Sequence, residues 1–271
     1  MVKGFIIMDK RAYIVTVILS ATMLLAGCGK KREAVIMAGS TAFQPFAEKL
    51  ADQFMTQNPA INVTVQGGGS AVGIQSALSG TAQIGMADLV QLPEEAKNLT
   101  ATEVARDGIV IAVNPGNKIE RLTIKQVQEI FNGVITNWKQ VGGEDRPITV
   151  VSREAGSGTR TSFEQIVGNI SLIKEALIQD SNGTIRETVA NDVNAVGYLS
   201  HGLINEKIKP VKLDGVECTT EEIVSGKYKL VRPVFLLTQG PPEGAVKQVI
   251  DYMLSDEGQE TIKSSGLIPV K

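Results

Sequence analysis

The fold is decided by Gln66-Gly67-Gly68-Gly69-Ser70-Ala71-Val72-Gly73 and by two similar stretches, Ala38-Gly39-Ser40-Thr41-Ala42-Phe43 and Ser152-Arg153-Glu154-Ala155-Gly156-Ser157-Gly158-Thr159-Arg160. Each stretch follows a β-like run and opens a helix-like run. The start of a helix offers unpaired backbone N–H groups and the positive end of the helix dipole, and both favour an anion. Three such junctions in one chain predict a single oxyanion held by several helix N-termini.

Strand-like and helix-like runs alternate along the chain, which predicts an α/β fold with mostly parallel sheets flanked by helices. Ser70 is predicted as the N-cap of its helix and Gly80 as the stop. Thr123 and Gln126 have the spacing of a capping box. The predicted strands are 34–37, 61–65, 84–87, 108–113, 148–151, 195–199 and 234–237. The predicted helices are 42–57, 70–79, 123–131, 156–167, 183–190, 244–254 and 256–264.

Two breaks in the alternation predict that the chain passes twice between two lobes. The first is Asn114-Pro115-Gly116-Asn117 and the second is Arg232-Pro233. We therefore expect lobe 1 to contain residues 28–113 and 233–271, and lobe 2 to contain residues 114–232. In such folds ligands favour the cleft between the lobes, at the carboxyl ends of the strands.

The N-terminus resembles an export signal. Lys10 and Arg11 precede an apolar run, residues 12–26, that is short for a membrane span. The run ends in Leu24-Leu25-Ala26-Gly27-Cys28, which matches the bacterial lipobox. We expect residues 1–27 to be a lipoprotein signal peptide and Cys28 to carry lipid, which predicts an extracytoplasmic, membrane-anchored protein. The alternative is an uncleaved N-terminal anchor helix.

Composition excludes several classes of function. The net charge is −2, and about −4 without residues 1–27, so no basic excess attracts nucleic acid. Cys28 and Cys218 are the only cysteines, so with Cys28 lipidated we expect no disulfide and a free, buried Cys218 thiol. One histidine and no ligand cluster predict neither a metal nor another cofactor.

The three junctions carry the candidate binding groups. Ordinary helix caps are the alternative for any one of them. The glycines of Gly67-Gly68-Gly69 favour close approach to a ligand, yet they fit neither a dinucleotide fingerprint nor a P-loop. Arg153 can present a bidentate guanidinium, which Glu154 could orient. The candidate residues are Ser40, Thr41, Ala42, Ser70, Asp88, Arg153, Ser157, Gly158 and Thr159.

Asp88 ends a predicted strand and suggests which anion binds. A carboxylate accepts a hydrogen bond from an oxyanion that still carries a proton and rejects one that carries none. Phosphate keeps a proton near neutral pH and sulfate does not. A polar group left unmatched in such a site can discriminate by ~10⁴–10⁵.

Taken together, these motifs resemble the phosphate-binding subunits of Pst-type ABC importers, which have the two-lobed periplasmic-binding (Venus-flytrap) fold. The match includes the three junctions, Ile84-Gly85 with Asp88, the stretch 130–138, Val196-Gly197-Tyr198, and the ending 254–270. It covers essentially the whole chain after the signal.

The resemblance implies a monomeric protein that binds inorganic phosphate and passes it to a permease with its ATPase. It implies phosphate contacts for Thr41, Ser70, Asp88, Arg153, Ser157, Gly158 and Thr159. Better-known members carry an aspartate where Ala155 stands here, and Glu154 is the candidate to replace it. A contact from Arg160 stays open.

Three alternatives remain open from the sequence. The pocket could hold another tetrahedral oxyanion such as sulfate, molybdate or tungstate, and Asp88 argues against these. A serine hydrolase using Ser70 or Ser157 would need a histidine beside the serine, and His201 lies in a different segment. A phosphate sensor without a transport role has the same sequence pattern. We therefore expect a binding protein and not an enzyme.

Overall fold

A computed structural model describes residues 32–271. The predicted signal peptide and the predicted lipid attachment at Cys28 lie outside these residues. No helix in the described part is long and apolar enough to cross a membrane.

Strands and helices alternate through most of this range. The strands are β1 (Glu33–Gly39), β2 (Ile61–Gln66), β3 (Ile84–Ala87), β4 (Thr100–Val113), β5 (Arg121–Leu122), β6 (Thr149–Arg153), β7 (Leu177–Gln179), β8 (Ala195–Ser200), β9 (Lys209–Pro210), β10 (Lys212–Leu213), β11 (Val231–Thr238) and β12 (Ile268–Pro269). The α-helices are α1 (Gln44–Gln57), α2 (Ser70–Ser79), α3 (Ile124–Phe131), α4 (Gly158–Val167), α5 (Asn182–Asn191), α6 (Thr220–Val224), α7 (Gly244–Met253) and α8 (Asp256–Ser264). Short 3₁₀ helices cover Glu94–Asn98, Trp138–Val141 and His201–Leu203.

The main sheet runs in the order β2-β1-β3-β11-β4-β8-β6-β7. The pairings β1–β2, β1–β3, β6–β8 and β6–β7 are parallel. The pairings that involve β4 and β11 are antiparallel. The predicted α/β class is confirmed, with parallel strands in each half of the sheet and antiparallel strands where the halves join.

Strand β4 belongs to both halves of the sheet. Residues 100–108 pair with β11, and residues 109–113 pair with β8. The apolar core divides at the same place. One cluster runs from Ile109 to Leu230 and adds Ile268, while the others draw on residues 35–105 and 234–267. We propose two lobes with the first crossing inside β4, near Asp107 and Gly108, several residues before the predicted crossing at Asn114.

Most predicted elements lie where the sequence placed them. The predicted ranges of α2, α8 and β3 are those of the structure, and the Thr123–Gln126 capping box is present. Strand β4 begins eight residues earlier than predicted because its first half carries polar residues and mixes exposed with buried positions. Helix α1 begins at Gln44 and α4 at Gly158, each two residues later than predicted.

The prediction that Ser70 is an N-cap is wrong. The cap position of α2 is Gly69, whose φ of 91° leaves it outside the usual range of other residues. Ser70 is the first helical residue, and its side chain hydrogen-bonds elsewhere. Gly80 ends the helix in the left-handed conformation, with φ 72°, as predicted.

Candidate functional site

The candidate site lies where the ends of β1, β3 and β6 meet the starts of α2, α4 and α5. Strand β3 ends at Ala87, so Asp88 follows it directly, and β6 ends at Arg153 itself. Both side chains are buried, each with 1% of the residue exposed. The carboxyl ends of parallel strands meet at one edge of a sheet, which explains how distant sequence segments converge there.

Asp88 is held by Ser70 on one side. The Ser70 hydroxyl donates to Asp88 Oδ1 at 2.6 Å and accepts from the Asp88 backbone N–H at 3.1 Å. The second carboxylate oxygen, Oδ2, lies 2.6 Å from Arg232 Nη2. This contact is a close ion pair, but no donor in residues 32–271 is aligned to hydrogen-bond with Oδ2. Asp88 therefore keeps acceptor capacity in a buried site.

Arg153 is oriented by its neighbour Glu154. Arg153 Nε donates to Glu154 Oε2 at 2.9 Å, and Arg153 Nη2 donates to Glu154 Oε1 at 2.8 Å. This two-point pairing fixes the plane of the guanidinium. Glu154 thus orients Arg153, as expected of the residue that replaces the aspartate found at the position of Ala155 in better-known members of the resembled family.

The remaining donors of Arg153 face the site. Nη2 also donates to Thr41 Oγ1 at 3.1 Å and to the Asp180 carbonyl at 3.2 Å. Nη1 is buried and has no partner among the described residues. A buried guanidinium nitrogen without a partner is costly unless a ligand supplies an acceptor.

A layer of aromatic side chains supports Arg153 from behind. The Tyr198 hydroxyl accepts the Arg153 backbone N–H at 3.3 Å and lies 2.8 Å from Ser152 Oγ. Its ring stacks on Phe163 with centroids 4.1 Å apart. Burial raises the pKa of Tyr198 to about 12, so the phenol stays neutral at physiological pH.

The start of α4 supplies hydroxyl and backbone groups. Ser157 is the N-cap, and its Oγ accepts from the Arg160 backbone N–H at 3.2 Å. Its hydroxyl proton remains available to a ligand. Gly158 and Thr159 are first-turn residues, whose N–H groups have no partner within the helix. Both Ser157 and Thr159 are buried.

The first junction is partly used by its own turn. Ser40 Oγ accepts from the backbone N–H groups of Ala42 at 3.2 Å and Phe43 at 3.1 Å. The Ala42 donor that the sequence assigned to the anion thus already has a partner. Thr41 Oγ1 points toward lobe 2, where it accepts from Arg153 and lies 3.4 Å from Asn182 Nδ2.

The two lobes touch at this site, so the cleft is closed. The Ala71 backbone N–H donates to the Gly156 carbonyl at 3.1 Å. A Cβ on Gly69 would lie 2.8 Å from the Gly156 carbonyl oxygen. The sequence linked the Gly67–Gly69 run to a nearby ligand. The structure links Gly69 to a close approach of the opposite lobe.

The sequence patterns did not point to four buried polar residues, of which Asn182 lies in the site and the other three lie behind it. Asn182 Nδ2 lies 3.4 Å from both Thr41 Oγ1 and Thr159 Oγ1, and its Oδ1 accepts from the Ser200 backbone N–H at 3.0 Å. Arg232, Asp107 and Ser200 form a second group behind Asp88. The available signal for Arg232 was a charged residue at the start of an apolar strand.

Other candidate residues lie outside the binding groups. Arg160 pairs with Glu164 at 2.7 Å and donates to the Arg153 carbonyl at 2.9 Å. His201 Nδ1 lies 2.9 Å from the Gly266 carbonyl oxygen. Cys218 is buried and forms no disulfide within residues 32–271. Residues 32–271 contain no cluster of three or more histidine, cysteine or acidic side chains suited to a metal.

A two-lobed α/β protein with polar and charged groups closed between its lobes has the architecture of a ligand-binding protein of the periplasmic-binding class. A family model described as a PBP superfamily domain matches residues 26–257. The chain is 31% identical over 286 residues to the phosphate-binding protein PstS of Bacillus subtilis, which covers 97% of this chain and 95% of that protein. The chain therefore belongs to the PBP superfamily and, within it, to the PstS family of phosphate-binding proteins.

Solved structures agree with this assignment. A putative phosphate ABC transporter substrate-binding protein with bound phosphate from Clostridium perfringens has a TM-score of 0.86 and 38% identity, covering 88% of this chain and 100% of that chain. An ABC-type phosphate transport receptor from Vibrio cholerae has a TM-score of 0.73 and 34% identity, covering 86% of this chain and 99% of that chain.

Proposed function

We propose that this protein binds inorganic phosphate between its two lobes and delivers it to an ABC permease. The relatives named as phosphate-binding proteins, and the solved relative named as having bound phosphate, support the ligand. The relatives named as parts of phosphate ABC transporters support the partner.

The observation that carries the proposal is the pairing of one buried cation with one buried carboxylate at the closed cleft. Among residues 32–271 Arg153 Nη1 has no hydrogen-bond partner, and the Asp88 carboxylate, held by Ser70 and Arg232, keeps lone pairs that can accept a further hydrogen bond. Arg153 Nη1 needs a hydrogen-bond acceptor, and the Asp88 carboxylate can accept a hydrogen bond from a donor. A phosphate that carries one proton supplies both, through its charged oxygens and its P–O–H group.

The helix starts complete the proposed contacts. In this proposal the hydroxyls of Ser157, Thr159 and Thr41 and the N–H groups at the start of α4 supply further donors to the anion. Ser40 and Ala42 contribute the turn that holds Thr41 in place. Enclosed contacts of this kind are weakly screened by salt.

A fully deprotonated tetrahedral anion is the second candidate ligand. Sulfate satisfies Arg153 and the helix N-termini but offers no donor to Asp88. The carboxylate would then face an anion oxygen without a hydrogen bond between them. We therefore expect sulfate to bind at least ~10⁴-fold more weakly than phosphate.

Titration calorimetry with phosphate and sulfate tests the proposal. The unmodified protein should bind phosphate at least ~10⁴-fold more tightly than sulfate, whose weak affinity is measured by competition with phosphate. An Asp88→Asn variant offers an amide donor and should lose most of this preference, whereas Asp145→Asn, which changes an exposed aspartate, should keep it. Equal affinity of the unmodified protein for the two anions would refute the role given to Asp88, and a protein that binds no phosphate would overturn the proposal.

The location and the anchor belong to the same proposal. We place the protein outside the cytoplasm, held to the membrane by lipid on Cys28 after removal of residues 1–27. Metabolic labelling with a radioactive fatty acid should mark the unmodified protein and leave Cys28→Ser unmarked. Labelling of both would contradict the assignment. A sensor without transport predicts normal phosphate uptake in cells that lack the protein.

A further inference from the structure

A buried group of three charged side chains lies behind the candidate site. We call Asp88, Asp107 and Arg232 the hinge charge cluster, because Asp107 and Arg232 lie on β4 and β11 where these strands join the two halves of the sheet. The three side chains are 0–2% exposed. None of the helix-start contacts described above requires Asp107 or Arg232.

The geometry of the cluster is set by the β4–β11 ladder. Arg232 and Asp107 are direct partners in its antiparallel register. Arg232 Nη2 lies 2.8 Å from Asp107 Oδ2 and 2.6 Å from Asp88 Oδ2. Arg232 Nη1 donates to the Asp88 backbone carbonyl at 3.3 Å. One guanidinium thus contacts both carboxylates and the main chain of Asp88.

The cluster contains two carboxylates and one guanidinium, so its protonation depends on how the single positive charge is shared. Two carboxylates share one cation, and an unmatched buried carboxylate is costly. Burial raises the pKa of Asp107, against the opposing effects of Arg232 and of the Ser200 hydroxyl. The buried Asp107 carboxyl is therefore more easily protonated than an exposed aspartate. The positive charge of Arg232 is left to balance Asp88.

Arg232 is the cation that contacts both Asp88 and Asp107, and the other neighbours of the two carboxylates are uncharged. Asp107 faces Ser200 on β8 and Arg232 on β11. Burial raises the pKa of Cys218 and of Tyr228, and the negative charge of Asp107 also raises the pKa of each, so both groups stay neutral. Around Asp88 the neighbours are Ser70, Gly158 and Ser162, besides Arg232 and Asp107.

We propose that Arg232 is a specificity-determining positioning residue that keeps Asp88 as a carboxylate, which accepts hydrogen bonds and donates none. This inference rests on the proposed phosphate function and deepens it. Arg232 acts through Asp88. Without the guanidinium, two buried carboxylates would remain without a cation, and Asp88 would take a proton. A protonated Asp88 donates to an anion oxygen, so sulfate becomes an acceptable ligand.

The experiment measures phosphate and sulfate affinity by calorimetry between pH 5 and pH 8. The first variant is Arg232→Gln. The second combines Arg232→Leu with Asp107→Leu, because replacing a buried ion pair by apolar side chains of similar size is often neutral or stabilising. Asp107→Asn keeps the Arg232–Asp88 pair. The matched control is Arg106→Gln, which changes an exposed arginine next to Asp107 on β4.

We expect the phosphate-to-sulfate affinity ratio to fall by ~100-fold or more in both Arg232 variants. Their sulfate affinity should weaken as the pH rises, because it needs the proton on Asp88. Asp107→Asn and the Arg106 control should keep the ratio of the unmodified protein. A variant that merely loosened the site would lose both anions together and leave the ratio unchanged.

The possible results distinguish a failure of the proposed phosphate function from a failure of the role given to Arg232. An unmodified protein that binds no phosphate overturns the proposed function and this inference with it. An unmodified protein that prefers phosphate, together with an unchanged ratio in a folded Arg232 variant, overturns the inference alone. Loss of the ratio in Asp107→Asn overturns it as well, because the Arg232–Asp88 pair would then be insufficient. Circular dichroism establishes which variants are folded.

Discussion

Gly158 should be the position where one added methyl group separates ligand affinity from fold stability. A Cβ built there would lie 2.1 Å from Ser70 Oγ, 2.6 Å from the Asp88 carbonyl oxygen and 2.9 Å from Asp88 Oδ1. Non-bonded heavy atoms prefer about 3.5 Å, so in Gly158→Ala the start of α4 must withdraw by roughly 1 Å or more. The contacts between the lobes lengthen with it.

The expected loss follows from those contacts. Closure brings Arg153 Nη2 to 3.1 Å from Thr41 Oγ1 and the Ala71 N–H to 3.1 Å from the Gly156 carbonyl. A hydrogen bond to a charged group contributes about 1.5–3 kcal/mol. Losing one such contact to the ligand weakens binding by about 10- to 100-fold. The helix itself should gain slightly, because alanine favours a helix over glycine by up to about 1 kcal/mol.

Calorimetry with phosphate and thermal unfolding of the ligand-free protein measure the two effects. The matched control is Gly183→Ala, also near the start of a helix, where a Cβ would lie 3.7 Å from Ser181 Oγ. We expect weaker binding with an unchanged or higher melting temperature in Gly158→Ala, and unchanged binding in Gly183→Ala. Full affinity in Gly158→Ala, or an equal loss in both variants, would refute the argument.

Three further predictions follow from the same contacts. Glu154→Gln removes the charge that orients Arg153 and should weaken phosphate binding by about tenfold or more in calorimetry, whereas Glu164→Gln, beside Arg160, should not; equal effects would contradict the role of Glu154. Because burial raises the pKa of Asp107, its contribution to stability is fully present below about pH 4, the unfolded pKa, and declines as the pH rises through the folded pKa. In denaturant titrations the unfolding free energy of Asp107→Asn minus that of the unmodified protein should therefore increase with pH over this range. The same difference for Asp145→Asn should not change with pH. Phosphate affinity should change by less than about tenfold between 0.05 and 0.5 M sodium chloride, and a steep decline would show that the contacts are exposed.

Local sequence signals were enough to locate the three junctions. A β-like run, a glycine or hydroxyl residue and a helix-like run occur within about ten residues, so no long-range information is needed to find them. Asp88 and Arg153 were found in the same way, as polar residues at the ends of apolar strands. The structure places both among the buried contacts of the closed cleft.

The role of Ser70 could not be found locally. A serine before a helical run predicts an N-cap, but Ser70 instead bonds to Asp88, eighteen residues further along the chain. The glycine before it takes the cap position, because its φ of 91° suits few other residues. Local propensity predicted the helix correctly, but the cap role that it predicted for Ser70 was wrong.

The cluster behind the site depends on strand pairing. Asp107 lies in the polar half of β4, and its burial depends on β11, which pairs with it, and on Ser200 of β8, whose hydroxyl donates to it. Arg232 meets it because the register places the two residues opposite each other. Asn182 and Thr41 likewise lie 141 residues apart in the chain and meet only through the tertiary fold. Such contacts follow from the tertiary fold and leave only a weak signal in the sequence.

The most direct test of the central claim is a high-resolution crystal structure of this protein grown with phosphate near pH 7. The account predicts one phosphate in the closed cleft, with one oxygen about 2.5–2.7 Å from the Asp88 carboxylate, as expected for O–H···O⁻. A second oxygen should accept from Arg153 Nη1. A phosphate bound away from the cleft, or an Asp88 carboxylate turned from the ligand, would contradict the account.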